Sequence, residues 1–132
     1  MIKREAKATV LFRHWLKANP AAFPYSCAFE LKQTTGSSLR FDAVEDHQIA
    51  ALEAANSDKG ILYKAPDDSR GVKPFDLFLL KDVPAFIVIK YPSKFEVISV
   101  AQFKRERAKS KARSLTANRA SEISIFSIRT KK

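Results

Sequence analysis

The segment Phe29-Glu30-Leu31-Lys32-Gln33-Thr34, FELKQT, closes an apolar and aromatic run that starts at Phe23. Residues 23 to 32 are rich in aromatic side chains and lack a helix cap, so the pattern predicts a β-strand that ends in this segment. In a strand, Glu30 and Lys32 are two residues apart and extend from the same face. An edge strand of alternating charge and a metal-binding carboxylate beside a lysine both fit this pattern.

The sequence on either side of this strand predicts two helices. Residues 2 to 18 place apolar side chains three or four positions apart, as in an amphipathic helix, and Asn19-Pro20 ends the pattern. After the strand, Asp42 followed by Glu45 is a capping-box pattern for an Ala-rich helix that runs to about Asn56. In chain order, the predicted strand therefore lies between two predicted helices.

The second half of the chain predicts further strands and shorter helices. Ser114 or Thr116 is expected to cap a last short helix, and the basic segment before it is expected to be helical. This order predicts an α/β fold in one domain over residues 1 to 132, with a central mixed β-sheet flanked by helices. The additional strands are expected at residues 61–65, 75–80, 86–91, 95–100 and 123–129.

The charge of the chain is strongly basic and is concentrated near its C-terminus. The 132 residues include 24 Lys and Arg against 14 Asp and Glu, a formal net charge of +10. The segment 104–132 holds most of this excess, which predicts a surface that attracts the phosphates of nucleic acid; a solvated helix of mixed charge is the alternative. The residues expected to contact nucleic acid are Lys104, Arg105, Arg107, Lys109, Lys111 and Arg113, together with His47 and Arg40.

The apolar stretches are too short, and too interrupted by charged residues and proline, to cross a membrane. No secretory or lipid-anchor pattern follows MIKREAK, and the single Cys27 cannot form an internal disulfide. We therefore expect a cytoplasmic, intracellular protein with no membrane partner.

Three features together resemble the PD-(D/E)xK nuclease superfamily, in particular the Holliday junction resolvases of bacteria and phages. They are the segment Glu30-Leu31-Lys32, an aromatic residue at Phe41 and the pair His47-Gln48 on the next helix. The resemblance covers roughly residues 25 to 100. It implies a restriction-endonuclease-like core, Mg²⁺ or Mn²⁺ as cofactor, branched DNA as partner and a homodimer, and it is compatible with a phage or viral source.

The resemblance also implies roles for individual residues. Glu30 would be a metal carboxylate, Lys32 the catalytic lysine and Gln48 a polar aid to the active site, with Leu31 counted among the metal-binding residues. His47 would face DNA or solvent. A glutamine satisfied by the backbone is the alternative for Gln48.

The chain departs from the family pattern because no aspartate precedes the E-x-K segment. Glu5 resembles an acid that family members carry on the first helix, although an acid favoured by the helix dipole fits equally well. The expected second metal carboxylate is Asp76, which enters an apolar strand; a structural aspartate paired with Lys73 is the alternative. A composite site with Lys90 converging on these groups is a further option.

The expected function is that of a metal-dependent endonuclease that cuts branched DNA such as a four-way junction. The alternative is a non-catalytic nucleic-acid-binding module on a decayed nuclease fold, which the missing upstream aspartate favours. A nuclease that acts on RNA or on linear DNA is a third hypothesis, because phosphate contacts carry no information about topology.

Overall fold

The computed structural model describes residues 4–67 and 70–130, with the side chains of the first helix described from Lys7 onward. It shows a small α/β domain in which four helices flank a central mixed sheet, as the sequence predicted. The helices are α1 (Arg4–Ala18), α2 (Asp46–Ala55), α3 (Val100–Lys109) and α4 (Ala117–Ile123). The strands are β1 (Ala28–Gln33), β2 (Ser38–Arg40), β3 (Ile61–Lys64), β4 (Leu77–Leu80), β5 (Ala85–Tyr91), β6 (Lys94–Ser99), β7 (Ser114–Thr116) and β8 (Phe126–Arg129).

The central sheet has four strands in the order β1-β5-β6-β8. β1 runs parallel to β5, with Glu30 opposite Ile87 and Lys32 opposite Ile89, and the other two pairings are antiparallel. The E-x-K segment therefore lies on an edge strand. This strand begins at Ala28 rather than at Phe23, because the chain first turns after α1 and Phe23 packs as a loop side chain in the aromatic core.

The two faces of the sheet bury separate clusters of side chains. α1 covers one face, where Phe12 packs against Phe29 and Phe95 with ring centroids 5.0 and 5.5 Å apart. α2, α3 and α4 cover the other face. Because side chains alternate along a strand, β1 directs Phe29 towards α1 and Glu30 and Lys32 towards α2.

The start of α2 differs from the predicted capping box. Residues 41 to 43 form a short 3-10 helix, and α2 begins at Asp46 with Glu45 as its N-cap. Asp42 does not cap the helix because its carboxylate accepts two hydrogen bonds from Arg40, at 3.0 and 2.9 Å. The capping box is formed instead by Glu45 and Gln48, and Gln48 Oε1 accepts a hydrogen bond from the backbone N–H of Glu45 at 3.0 Å.

The basic C-terminal segment is part of the fold. α3 is the predicted basic helix, β7 pairs with β2, Thr116 caps α4 and β8 joins the central sheet. Glu106 is buried on α3 and accepts two hydrogen bonds from Arg119 of α4, at 2.8 and 3.0 Å. This guanidinium holds the pKa of the Glu106 carboxyl below its usual value. Arg119 is thus a basic residue of this segment whose charge is used inside the fold.

β3 and β4 form a separate antiparallel sheet between α2 and β5, so the later strands do not form one continuous meander. Gly60, with φ of +74°, leads into β3, and a Cβ at this position would lie 2.8 Å from the carbonyl oxygen of Leu80. No helix in the described part of the chain is both long and apolar enough to cross a membrane.

Candidate functional site

Glu30, Lys32 and Gln48 form one cluster between β1 and α2. Gln48 Nε2 donates a hydrogen bond to Glu30 Oε2 at 2.9 Å, and Lys32 Nζ lies 3.6 Å from the same oxygen. The grouping follows from local structure, because period-two alternation puts both β1 side chains on the face that α2 covers. The structure therefore brings together three of the residues that the sequence singled out.

Gln48 is fixed at both ends of its side-chain amide. Oε1 accepts from the N–H of Glu45, which leaves Nε2 to donate to Glu30. This assigns the orientation of the amide and places Gln48 on the side of α2 that faces β1. His47 lies at the surface, with its side chain 76% exposed and Nδ1 3.2 Å from Glu45 Oε2. Gln48 therefore joins the start of α2 to the carboxylate of Glu30 in the E-x-K segment.

The carboxylate of Glu30 compensates the charge of the buried Lys32 side chain. Lys32 is only 5% exposed, whereas the side chain of Glu30 is 27% exposed. An ammonium group removed from water is unfavourable unless an anion compensates it, and Glu30 supplies that charge. The carboxylate itself stays within reach of solvent, so a small cation or a phosphate can approach the pair.

The backbone of Leu31 adds an oxygen at the outer edge of β1. Ala28 and Thr34 donate their N–H groups to Pro84 and Lys90 at either end of the neighbouring strand. In a parallel ladder, N–H and C=O groups of alternate residues point to opposite sides, so the odd-numbered Leu31 directs its carbonyl away from β5. Leu31 thus contributes a backbone oxygen at the outer edge of β1, and it follows Glu30, whose side chain leaves the face towards α2.

These oxygens fit a hard divalent cation. Mg²⁺ is usually bound by one or two carboxylates, with water and substrate phosphate oxygens as its other ligands. Glu30 provides a part-exposed carboxylate, and Leu31 provides a carbonyl oxygen. Within residues 7–67 and 70–130, no group of three or more His, Cys, Asp or Glu side chains is placed to hold a metal ion. A cation at this edge would thus share its ligands with substrate and water.

Asp76 lies immediately before β4 of the two-stranded sheet. Its side chain is exposed, and its backbone carbonyl accepts the N–H of Ala65 at 2.8 Å. No hydrogen bond or ion pair between described residues joins its carboxylate to Glu30 or to Lys73. A role for Asp76 as second metal carboxylate stays a prediction. So does the role of Glu5, which belongs to α1 but whose side chain falls outside the described residues.

Lys90 does not converge on the cluster. It follows Ile89, the partner of Lys32 in the sheet, and therefore extends from the opposite face. Its Nζ donates to the backbone carbonyls of Tyr91 and Pro92, at 2.7 and 2.9 Å, and desolvation lowers its pKa. The composite site with Lys90 is wrong, because strand alternation separates this amine from Lys32 by the thickness of the sheet.

An open cleft of about 590 Å³ lies next to the N-terminus of α2. Arg40, Arg107 and Arg113, three of the predicted nucleic-acid contacts, line it together with Asp42 and Asp46. Arg40 makes its bidentate pair with Asp42, and Arg107 Nη1 lies 3.7 Å from Asp46 Oδ1. The cleft thus combines guanidinium groups that suit phosphate oxygens with carboxylates that compete for them.

The other predicted basic contacts lie on or just after α3. Arg105, Lys109 and Lys111 are exposed, whereas Lys104 is half-buried and its Nζ lies 2.7 Å from Glu53 Oε2 of α2. The acids that pair with these basic groups were not predicted from the sequence. The short spacing between Arg40 and Asp42 was an available signal, but the pairs between α3 and α2 join residues distant in the chain.

Comparisons with known proteins add no assignment: neither a protein-family model nor a curated protein matches this chain. The chemistry that the site supports is therefore inferred from its own groups. They are a part-exposed carboxylate held by an amide, a buried ammonium beside it and a backbone oxygen on the open edge of the sheet.

Proposed function

We propose that the protein is a metal-dependent endonuclease that cleaves phosphodiester bonds in branched DNA, such as a four-way junction. The observation that carries the proposal is the grouping of Glu30, Lys32 and Gln48 around a single carboxylate oxygen at the edge of the sheet. These are the positions that the nuclease resemblance implies. A restriction-endonuclease-like core is part of the same proposal, since a mixed sheet with helices on both faces is compatible with it.

Each group in the cluster has a role that its position supports. Glu30 and the carbonyl of Leu31 would hold Mg²⁺ or Mn²⁺, with Asp76 as the proposed further carboxylate. Such an ion polarises a phosphoryl oxygen and acidifies bound water. Lys32 holds a positive charge where a phosphate would gain negative charge during cleavage. Gln48 keeps the Glu30 carboxylate in one orientation, which reduces the reorganisation needed on binding.

The proposed DNA surface extends from this edge to the cleft beside α2. Arg40, Arg107 and Arg113 would exchange part of their contacts with Asp42 and Asp46 for phosphate oxygens. The remaining basic residues would hold flanking duplex by contacts that fix position without reading sequence. The whole set proposed to contact DNA is Arg40, His47, Lys104, Arg105, Arg107, Lys109, Lys111 and Arg113.

Cleavage of a labelled four-way junction, compared with a linear duplex, tests the proposal in Mg²⁺, Mn²⁺ and EDTA. Glu30→Gln removes the charge but keeps an oxygen that accepts from Gln48, and we expect a loss of at least about 100-fold in cleavage. Because this variant also removes the anion beside the buried Lys32, circular dichroism checks that it stays folded. Lys32→Met and Asp76→Asn are expected to reduce cleavage similarly. Asp58→Asn, which changes an exposed carboxylate elsewhere, is the matched control and should cleave like the parent.

The outcomes separate the candidate functions. Metal-dependent cleavage that persists in both the Glu30 and Lys32 variants would refute this site. Retained activity in Asp76→Asn would remove only that residue from the ligand set. A parent chain that binds DNA through the arginine-lined cleft, without cleavage in any metal, would identify the non-catalytic binding module. If linear DNA or RNA is cleaved as fast as the four-way junction, branched DNA is not the preferred substrate class.

A further inference from the structure

The cleft beside the N-terminus of α2 is electrically neutral, although the whole chain carries a formal net charge of +10. Three guanidinium groups and three carboxylates line the cleft, so their formal charges cancel. A surface that only attracts polyanions needs basic groups without adjacent acids. The three acids, Asp42, Glu45 and Asp46, therefore limit the attraction that the arginines exert on phosphate.

Strand pairing brings two of the arginines to one end of a small sheet. β2 and β7 are antiparallel, and Phe41, the residue after Arg40, donates its N–H to the carbonyl of Arg113 at 3.0 Å. Asp42 accepts two hydrogen bonds from Arg40, which lower the pKa of its carboxyl, and the charge of Arg113 also lowers it. Asp42 is therefore an anion at neutral pH and offsets the charge of both guanidinium groups.

The second arginine–aspartate pair joins two helices. Arg107 of α3 places Nη1 3.7 Å from Oδ1 of Asp46, the first residue of α2. The N-terminus of an α-helix carries the positive end of the helix dipole, which attracts phosphate. Asp46 and the N-cap residue Glu45 oppose that field. The Asp46 carboxylate thus reduces the attraction of phosphate both to the helix and to Arg107.

Both pairs lie at the surface and can open without disturbing the core. The side chains of Asp42 and Asp46 are 70% and 101% exposed, and ion pairs at such positions contribute little to stability. A phosphate that makes a bidentate contact with the guanidinium group can therefore replace the carboxylate. Until it does, the carboxylate repels the phosphates of an approaching nucleic acid. This repulsion is overcome where the nucleic acid holds phosphates within reach of both pairs.

We propose that Asp42 and Asp46 are specificity-determining residues, which prevent DNA from using the cleft unless it reaches both arginine–aspartate pairs together. A linear duplex contacts the exposed Arg105, Lys109 and Lys111, on or just after α3, and gains little from the neutral cleft. A four-way junction has diverging arms, so one arm contacts α3 while another enters the cleft. The inference rests on the proposed function for its partner, DNA, but it requires no cleavage.

Fluorescence anisotropy in EDTA measures binding without cleavage, for a labelled four-way junction and a linear duplex of the same length. Asp42→Asn/Asp46→Asn, the cleft variant, keeps a side-chain oxygen at both positions but removes both charges. At about 0.1 M salt we expect its dissociation constant for linear duplex to fall at least about 10-fold, because the freed arginines contact phosphates. For the same reason the log–log dependence of this affinity on salt should steepen by about 1 to 2. The junction already displaces the carboxylates in the parent, so its affinity should rise only about 2- to 3-fold.

Asp58→Asn/Asp67→Asn is the matched control. It changes the net charge by the same amount, but both carboxylates belong to exposed residues and neither lines the cleft. Asp58 follows the C-terminal end of α2, whose ten residues span roughly 15 Å, which exceeds the Debye length of about 10 Å at this salt concentration. The control should therefore change neither affinity by more than about 2-fold.

Circular dichroism checks that both double variants keep their fold. Should the cleft variant unfold, Asp46→Asn alone is the second test, because its side chain is fully exposed; it should tighten binding of linear duplex at least about 3-fold. Equal effects of the cleft variant and the control would show that net charge alone sets the affinity, and would overturn the proposal. Unchanged or weaker binding of linear duplex by a folded cleft variant would overturn it too. A parent chain that binds DNA but cuts none in Mg²⁺ contradicts the nuclease proposal alone, whereas one that binds neither DNA contradicts both.

Discussion

Replacing Gln48 by alanine removes two hydrogen bonds that converge on one side chain. Nε2 donates to Glu30 Oε2 at 2.9 Å, and Oε1 accepts from the N–H of Glu45 at 3.0 Å. A hydrogen bond to a charged group contributes about 1.5–3 kcal/mol, and a helix cap about 1 kcal/mol. Because Glu30 is partly exposed, water replaces some of the first interaction. We therefore expect the free energy of unfolding to fall by about 2 kcal/mol.

Gln48→Glu separates the two hydrogen bonds. A glutamate keeps an oxygen that can accept from the N–H of Glu45, but it cannot donate to Glu30 when both carboxyls are ionised, and the two charges repel. The deficit relative to the parent should therefore shrink as pH falls from about 8 to about 5 and one of the carboxyls becomes protonated. The alanine variant has no such added charge and should show a much weaker dependence.

Urea unfolding followed by circular dichroism measures these differences. Gln102→Ala is the matched control, because Gln102 also accepts a hydrogen bond through its amide, from Arg105, but on the exposed side of α3. Its effect should stay within about 0.5 kcal/mol. A change of less than about 0.5 kcal/mol for Gln48→Ala would refute the view that this residue joins α2 to the E-x-K strand.

Three further predictions concern the packing around the site. The hydrogen bonds from Arg119 lower the pKa of Glu106, and their contribution to the free energy of unfolding is fully present above 4.5, the ordinary pKa of this carboxyl. The contribution should be lost as the pH falls through the lowered pKa that Glu106 has in the folded state. Urea midpoints measured over this pH range should show the loss in the parent but not in Arg119→Ala. Tyr91→Phe removes the hydroxyl that donates to the buried carbonyl of Leu115 at 2.9 Å, so the free energy of unfolding should fall by about 0.5–1.5 kcal/mol, and a change near zero would contradict this. Phe12→Ala should cost about 3–5 kcal/mol in the same assay, since Phe12 is 2% exposed between two other rings; a cost below about 1 kcal/mol would contradict the packing of α1.

The periodicity of the sequence predicts most of the helices and strands, but it does not predict which strands pair with each other. The helical spacing of residues 2 to 18 predicts α1, and short apolar runs predict β5 and β6. Nothing in FELKQT indicates that β1 pairs in parallel with β5, more than fifty residues later, because that register depends on contacts made only in the folded chain. For the same reason the sequence did not separate β3 and β4 from the central sheet.

The candidate site was predictable where it depends on strand parity and helix position. Glu30 and Lys32 share a face because they are two residues apart, and Gln48 belongs to the inward face of the following helix. The basic segment was harder to interpret. Its residues look like a free polycation in the sequence, yet Arg119 pairs with the buried Glu106, and no local spacing shows such a long-range pair.

Two acids on the same sheet face show why sequence alone does not identify an accessible carboxylate. Lys32, Ile89 and Glu96 are consecutive partners across the sheet, so Glu96 lies on the same face as Glu30. Glu96 is fully buried, and Lys94 Nζ lies 2.6 Å from it. Burial alone would raise the pKa of Glu96, but hydrogen bonds from its amine and serine partners outweigh burial and lower it.

The difference follows from position in the sheet. Glu96 lies on the interior strand β6, where a carboxylate must be neutralised and fully hydrogen-bonded by its own chain. Glu30 lies on the edge strand β1, where 27% of the side chain remains exposed beside Lys32 and Gln48. At Glu96 a cation or a phosphate would have to compete with an internal ion pair, whereas part of the Glu30 side chain is already open to solvent. The chemical role proposed for FELKQT depends on its placement at the sheet edge, because an identical charge pattern in the interior would be enclosed by its own chain.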